Sequence, residues 1–362
     1  MMVVSKQHQI FFEFLRFSIG SESEIPSSLK EADWKELYRI AQKQCLVGIL
    51  FDGIQKLPPT EVGMSKDLLL QWMMRCQMLE KANVRLNDAA IQVSEWFRKK
   101  GFRTCILKGQ GNALMYPNPY SRTPGDIDIW VEGGDKRVIS FVRSISPYEK
   151  ACYHHIEFPS YKGVEVEVHY RPSFLLCFWH NRKLQKYYER VKEEQFSHRV
   201  MLGEQGEIVI PTVEFNLIFQ LTHIFSHLMN EGIGLRQLLD YYYVLISDDL
   251  LLIRDRVQKE LKELGLWKFA GAIMYIMQEV FGMPVSRLIV PPNEKYGRFV
   301  LNEVLEAGNF GKHDERNRFG KSKLGHNLQR VYRDMRLVRY FPAEAMSEPI
   351  FRVWHFLWRK MH

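Results

Sequence analysis

The first hundred residues carry apolar side chains at helical intervals. The clearest run follows Ser65, a residue suited to capping a helix N-terminus. Its apolar positions Leu69, Trp72, Cys76, Leu79, Leu86, Ala90, Val93 and Phe97 recur in steps of three, four or seven. This spacing predicts one long helix, or two with a break, ending before Gly101. The period then changes. TCILKG (104–109) is a short apolar strand ending in glycine, and DIDIWV (126–131) alternates carboxylate with apolar residue as a half-buried strand does. DKRVISFVRSI (135–145) has helical spacing, and HHIEFP (154–159) and VEVEVHY (164–170) read as two strands of a hairpin closed by residues 160–163. The predicted order is strand, helix, strand, helix, strand, strand. From about 212 the pattern is helical again, with a Thr212-capped helix to about 230 and further helices over 234–247, 249–264, 267–281 and 293–306. Two basic terminal helices follow the loop 308–325.

Composition narrows the class without choosing a function. A chain of 362 residues exceeds one ordinary core and predicts two or three packed subdomains. Apolar residues at 46% and charged residues at 25% match a soluble globular protein, and no segment approaches the roughly 20 uncharged apolar residues of a membrane span. The apolar run 10–20 is broken by Glu13 and Arg16 and lacks a small-residue cleavage site, so no secretory signal is predicted and the expected compartment is the cytoplasm. Five cysteines without a CxxC pair point to reduced, mostly buried thiols rather than disulfides or structural zinc. The net charge of +8 suits a polyanionic partner, a triphosphate or plain solubility alike.

The candidate chemistry lies in the strands. Residues i and i+2 of a strand share a face, so Asp126 and Asp128 project together, roughly 7 Å apart along the backbone, and can converge on a divalent ion. The strand 164–170 repeats the device, with Glu165, Glu167 and His169 on one face and Val164, Val166 and Val168 on the other. Phosphoryl transfer assisted by metal ions uses a comparable set of acidic ligands.

The segment LKGQGNALMYPNPYSRTPGDIDIWV (107–131), followed by VEVEVHY (164–170), resembles the uncharacterised bacterial nucleotidyltransferase group of the DNA polymerase β-like nucleotidyltransferase superfamily. The resemblance covers roughly 100–172. It implies an α+β fold: a small mixed β-sheet nucleotidyltransferase core (101–172) flanked by an N-terminal helical segment (1–100) and a larger C-terminal helical domain (173–362). Matched residue by residue, it implies that Gly109 is the glycine of a phosphate-cradling turn, Asp126 and Asp128 the metal pair, and Glu167 the third acid, with Glu165 its competitor. Lys108 and Arg122 match positions that the group favours; by their chemistry Lys108 reads equally as a triphosphate contact or a surface lysine, and Arg122 as a brace for the loop or a phosphate clamp. The implied cofactor is Mg²⁺ or Mn²⁺ and the implied donor an NTP, with a protein hydroxyl, a small molecule or an RNA end as acceptor. One departure stands out: Gln110 follows Gly109 where the superfamily turn usually has Gly or Ser. That departure keeps a second reading in view, a non-catalytic module that senses nucleotide or binds a partner.

Other features carry weaker expectations. His223 and His227 are spaced i, i+4 as in helical zinc sites, but Ile224 stands where HExxH has its Glu, and core or hydrogen-bonded histidines are expected. Arg236 and Asp240 read most simply as a helix-surface pair, with lining of the nucleotide cleft as the lesser alternative. The loop 308–325 lacks P-loop order and reads as a solvated connection. The C-terminal region, with eight basic residues from Arg316 to Arg339 and the amphipathic FRVWHFLWRKMH (351–362), suits an anionic partner, while its tryptophan spacing predicts a docked helix.

Overall fold

The structure, a computed structural model, describes residues 5–314, Arg316 and 323–362. Residues 315 and 317–322 of the predicted loop lie outside the described residues. The elements run α1 (Lys6–Ile19), α2 (Trp34–Lys43), α3 (Val47–Lys56), α4 (Lys66–Lys99), β1 (Thr104–Ile106), α5 (Gln110–Ala113), β2 (Ile127–Val131), α6 (Gly134–Ile145), β3 (His155–Tyr161) and β4 (Val164–His169). They continue with α7 (Phe178–Gln195), β5 (Arg199–Met201), β6 (Glu207–Val209), α8 (Val213–Asn230), α9 (Leu235–Leu245), α10 (Leu250–Glu263), α11 (Trp267–Phe281), α12 (Glu294–Ala307), α13 (Lys323–Leu337) and α14 (Pro342–Met361). The fold is α+β, as expected. Helix α7 and the β5–β6 hairpin fall in a stretch for which the residue pattern yielded no prediction.

The predicted long helix is a single unbroken α4, with the Ser65 hydroxyl accepting the Leu68 N–H. At 34 residues it spans roughly 50 Å, enough to serve two hydrophobic cores. Its first half places Trp72 and Leu79 in a large core formed with α1–α3 and α8–α12. Its second half places Leu86, Ala90, Val93 and Phe97 in a smaller core beneath the main sheet.

That sheet has the order β1-β2-β4-β3. β1 pairs antiparallel with β2, β2 pairs parallel with β4, and β3 pairs antiparallel with β4. The β3–β4 hairpin closes on Lys162 and Gly163, both at positive φ, the geometry of a two-residue primed turn. Strand alternation then separates the chemistry. Ile127, Ile129 and Val131 of β2 and Val164, Val166 and Val168 of β4 bury in the smaller core against α4 and α6. Asp128, Glu167 and His169 face the opposite way, toward α8.

The loop ahead of β2 is tied down by neighbours distant in sequence. Asn83 of α4 donates to the carbonyls of Tyr120 and Arg122, both at 2.9 Å, Ser121 donates to Asp52 of α3 at 2.8 Å, and Thr123 donates to the Cys45 carbonyl at 2.8 Å. Gly48 of α3 backs onto Ser121, where a Cβ would stand inside contact distance of the Ser121 carbonyl. Gly48→Ala is therefore expected to destabilise the protein by about 1–3 kcal/mol through overpacking, read as a lowered denaturation midpoint with an unchanged denaturant slope.

Candidate active site

The parallel register sets Asp128 of β2 directly opposite Glu167 of β4. With Asp126, one residue before β2, these form a group whose carboxylate oxygens all lie within 4.8 Å of one another. Glu165, two residues earlier on β4, is exposed and outside this group. All-oxygen donors at this spacing fit a hard divalent ion of the Mg²⁺ or Mn²⁺ kind.

Crowding carboxylates on a face where Asp128 is only 2% exposed demands compensating charge. Two cations supply it. Lys108 Nζ lies 3.0 Å from Asp128 Oδ1, and His169 Nε2 lies 3.0 Å from the same oxygen and 3.4 Å from Glu167 Oε2. Burial works to raise the Asp128 pKa, but the Lys108 charge and the His169 hydrogen bond hold it below the usual carboxylate value. For Glu167 burial again opposes, yet the His169 bond and the nearby His155 pull the value down to about 2. Burial would neutralise His169, but its bonds to Asp128 and Glu167 keep it charged to about 9.

The remaining predicted residues fall around this centre. Gly109 has φ +62 and sits close to the Asp126 carbonyl, where a Cβ would stand 3.5 Å away. The helix it opens, α5, has only four residues, so it contributes little of the dipole that a longer helix offers. Gln110, the departure from the superfamily turn, points away from the site: it is buried and donates its side-chain amide to Asn87 of α4. It anchors the turn to the long helix.

Lys108 bonds to Asp128 and to His223 Nε2, each at 3.0 Å. Burial and the Lys108 charge hold His223 neutral. His223 and His227 pack ring against ring at 4.3 Å on α8, and His227 meets Glu231 at 3.5 Å. Neither histidine belongs to a potential metal-binding group among the described residues. Arg122 forms a two-pronged ion pair with Asp240, both bonds at 2.8 Å and both partners buried, and Tyr116 adds a third bond to Asp240 at 2.6 Å. The expected surface pair of Arg236 with Asp240 is thereby corrected, because α9 is buried and Asp240 is turned to Arg122.

Arg236, for which lining the cleft was the lesser expectation beside a surface pair, stands in the cleft wall. It is 8% exposed, its one hydrogen bond is to the Thr123 carbonyl at 3.1 Å, and its Nε has no partner. It forms no ion pair among the described residues. Its guanidinium lies beside Gly125, and it lines a small chamber with Lys108, Gly109 and Asp126. Asp240 acts on this guanidinium through space without a hydrogen bond, so Arg236 is a buried cation with donor capacity to spare and a candidate anion contact. Its i, i+4 spacing to Asp240 favoured the surface pair, since that spacing has a bland surface explanation.

A cleft of about 630 Å³ opens over the acidic face, within the size range of small-ligand sites. Its wall is α8, with His223, Ser226, His227 and Asn230, and its far side holds Phe310, Lys312, Arg330, Arg352 and His355. Helix α14 is docked, with Trp358 buried and Glu344 accepting the backbone N–H groups of Leu176 and Cys177 at 2.6 and 3.1 Å. All five cysteines are unpaired. Among the described residues no helix is long and apolar enough to cross a membrane.

A glycine turn, a paired-aspartate strand and a third acid from a parallel neighbour on a small mixed sheet define the class of the nucleotidyltransferases. The chain belongs to the uncharacterised nucleotidyltransferase family, whose model matches residues 30–282. Membership of this family and the α+β fold support a general nucleotidyl-transfer role. The match extends well beyond the motif segment, into the helices on both sides. A crystal structure of an antigenic nucleotidyltransferase-like protein from Paracoccidioides brasiliensis is similar at 16% identity, covering 50% of this chain and 92% of that one, with a TM-score of 0.28. No curated protein matches the chain.

Two outcomes follow from this electrostatic arrangement. Removing Asp240 leaves Arg122 and Arg236 buried without a carboxylate, so Asp240→Ala is expected to cost about 3–5 kcal/mol in urea denaturation. The folded pKa of His169 lies above its ordinary 6.5, so its stabilisation is complete below pH 6.5 and is lost as pH rises through about 9. Glu167 acts with the opposite sign: its stabilisation is present above pH 4.5 and is lost as pH falls through about 2. Metal-free protein is thus expected to lose stability on the alkaline side, and His169→Gln to flatten that slope, in denaturation series across pH.

Proposed function

We propose that this chain transfers a nucleoside monophosphate from an NTP to an acceptor hydroxyl with release of pyrophosphate. The observation that carries the reading is the register of β2 on β4, which gathers Asp126, Asp128 and Glu167 on the floor of one cleft. These carboxylates would hold Mg²⁺ or Mn²⁺, and the bound ion would polarise the phosphoryl oxygens and offset the charge that develops on the leaving pyrophosphate.

The other roles belong to the chain itself. Gly109 keeps the turn free of a side chain so that phosphate oxygens can approach the backbone. Arg236, already desolvated and short of a partner, would take a phosphate oxygen of the donor. Lys108 keeps Asp128 ionised before the donor arrives and is near enough to share its charge with the triphosphate. Arg122, locked to Asp240, holds the 118–125 loop and with it the position of Asp126. Glu167, at the open side of the triad, is the candidate to accept the proton of the acceptor hydroxyl. For the acceptor, a protein hydroxyl, a small molecule and an RNA end all agree with the cleft chemistry. Lys312, Arg330 and Arg352 on its far side favour an anionic one.

Two observations favour a second reading, in which nucleotide is bound without turnover. Lys108 and His169 already neutralise Asp128, and Gln110 is committed to α4 rather than to the turn. Pyrophosphate release, screened across the four NTPs with Mg²⁺ and Mn²⁺, separates the two. Wild-type turnover that falls at least about 1000-fold in Asp126→Asn and Asp128→Asn, roughly 4 kcal/mol in barrier, is the expected result. Nucleotide binding without release in the wild type would establish the sensing role instead. Arg236→Gln is expected to weaken NTP binding by about 10- to 100-fold, the worth of one or two charge-assisted hydrogen bonds, in calorimetric titration.

A further inference from the structure

The acidic floor continues sideways into a group of nitrogen donors. His155 of β3 stands directly across from His169 of β4, and Glu167 lies two residues earlier on the same face. His155, Glu167 and His169 offer ligand atoms that all lie within 4.8 Å of one another. Glu167 Oε2 is 3.3 Å from His155 Nδ1 and 3.4 Å from His169 Nε2. Ligands held at about 2.0–2.1 Å around a tetrahedral ion stand roughly 3.3 Å from each other, so these separations already match two edges of such a polyhedron.

Proton counting points the same way. His155 Nδ1 has two close neighbours, Glu167 Oε2 and His154 Nε2 at 3.0 Å, yet a ring nitrogen carries at most one proton and cannot donate and accept at once. His169 Nε2 likewise faces both Asp128 Oδ1 and Glu167 Oε2 with a single proton. On its other side, His169 Nδ1 faces the Arg171 carbonyl at 3.4 Å, the outer-shell contact that leaves Nε2 as the ligating atom.

We propose that His155, His169 and Glu167 form a second metal site, distinct from the all-oxygen triad but sharing Glu167 with it, and that it takes a borderline-soft ion of the Zn²⁺ type. Two imidazoles and one carboxylate are a donor set that zinc and its first-row neighbours prefer and that Mg²⁺ does not. Three protein ligands leave a coordination position open, and all three residues line the cleft. A water or an acceptor hydroxyl bound there would have its pKa lowered toward neutrality. The use of the ion rests on the nucleotidyl-transfer reading; its binding does not.

The test uses full-length protein stripped with a chelator and held in excess Mg²⁺. Calorimetric titration with Zn²⁺ is expected to give one tightly bound ion per chain, and Co²⁺ in its place to give the intense visible absorption of a four-coordinate, nitrogen-ligated ion. His155 sits on the edge strand and is partly exposed, so His155→Ala and the closer His155→Gln should both fold, as thermal melts will show. Each is expected to weaken Zn²⁺ by more than about 100-fold, beyond the 10- to 100-fold that an outer-shell loss costs, and His169→Gln to do the same. Asp126→Asn should keep the Zn²⁺ stoichiometry and the Co²⁺ spectrum while losing Mg²⁺-dependent NTP binding, so that the two readings fail separately. Zn²⁺ binding that survives in folded His155 variants, that is lost in Asp126→Asn, or that is abolished by Mg²⁺ would overturn the proposal. So would a weak, octahedral Co²⁺ spectrum.

Discussion

The interaction on which the rest of the structure depends is the parallel pairing of β2 with β4. It sets Asp128 against Glu167 across one rung of the sheet, on a face covered by α8. Bringing like charges together away from water is unfavourable unless cations are supplied within a few ångströms. Lys108 at the end of β1 and His169 two residues beyond Glu167 meet that need, and each is held by a further partner, His223 for Lys108 and the Arg171 carbonyl for His169. The site is a compensated cluster whose protein cations hold Asp128 and Glu167 ionised.

The surrounding fold keeps this cluster in place by fastening its loops to α4, the element common to both cores. Asn83 takes the carbonyls ahead of β2, and Asn87 takes Gln110 behind the glycine turn. These two buried asparagines, one helical turn apart, tie the loop ahead of Asp126 and the turn at Gly109 to one helix. Arg122 and Asp240 add a strut to α9. The replacement of the usual small residue by Gln110 therefore has a structural cause here: its amide is a tether, and the turn keeps its glycine at the position nearest Asp126.

The cleft is chemically two-sided. On the Asp126 side stand oxygen donors with the guanidinium of Arg236, the proposed place of phosphate and a hard ion. On the far side of Glu167 stand imidazoles, an environment for a softer ion. Glu167 belongs to both groups: from β4 its carboxylate lies near Asp126 and Asp128 on one side and near His155 of β3 and His169 on the other.

What the sequence by itself determined are the features governed by local periodicity. The 3.6-residue spacing after Ser65 specified α4, and the period of two in DIDIWV and VEVEVHY specified which side chains share a face, because strand geometry leaves no other choice. The glycine-bearing turn closing β3 on β4 was legible for the same reason. Only the tertiary structure decided that Glu167 rather than Glu165 meets Asp128, since the register between strands separated by a helix and a hairpin is a long-range choice. It also turned Asp240 away from Arg236 toward Arg122, opposed His155 to His169, and set Lys108 on Asp128. Each of these joins residues whose local spacing either suggests a different partner or suggests none, and burial favours such pairings because an isolated charge away from water is costly.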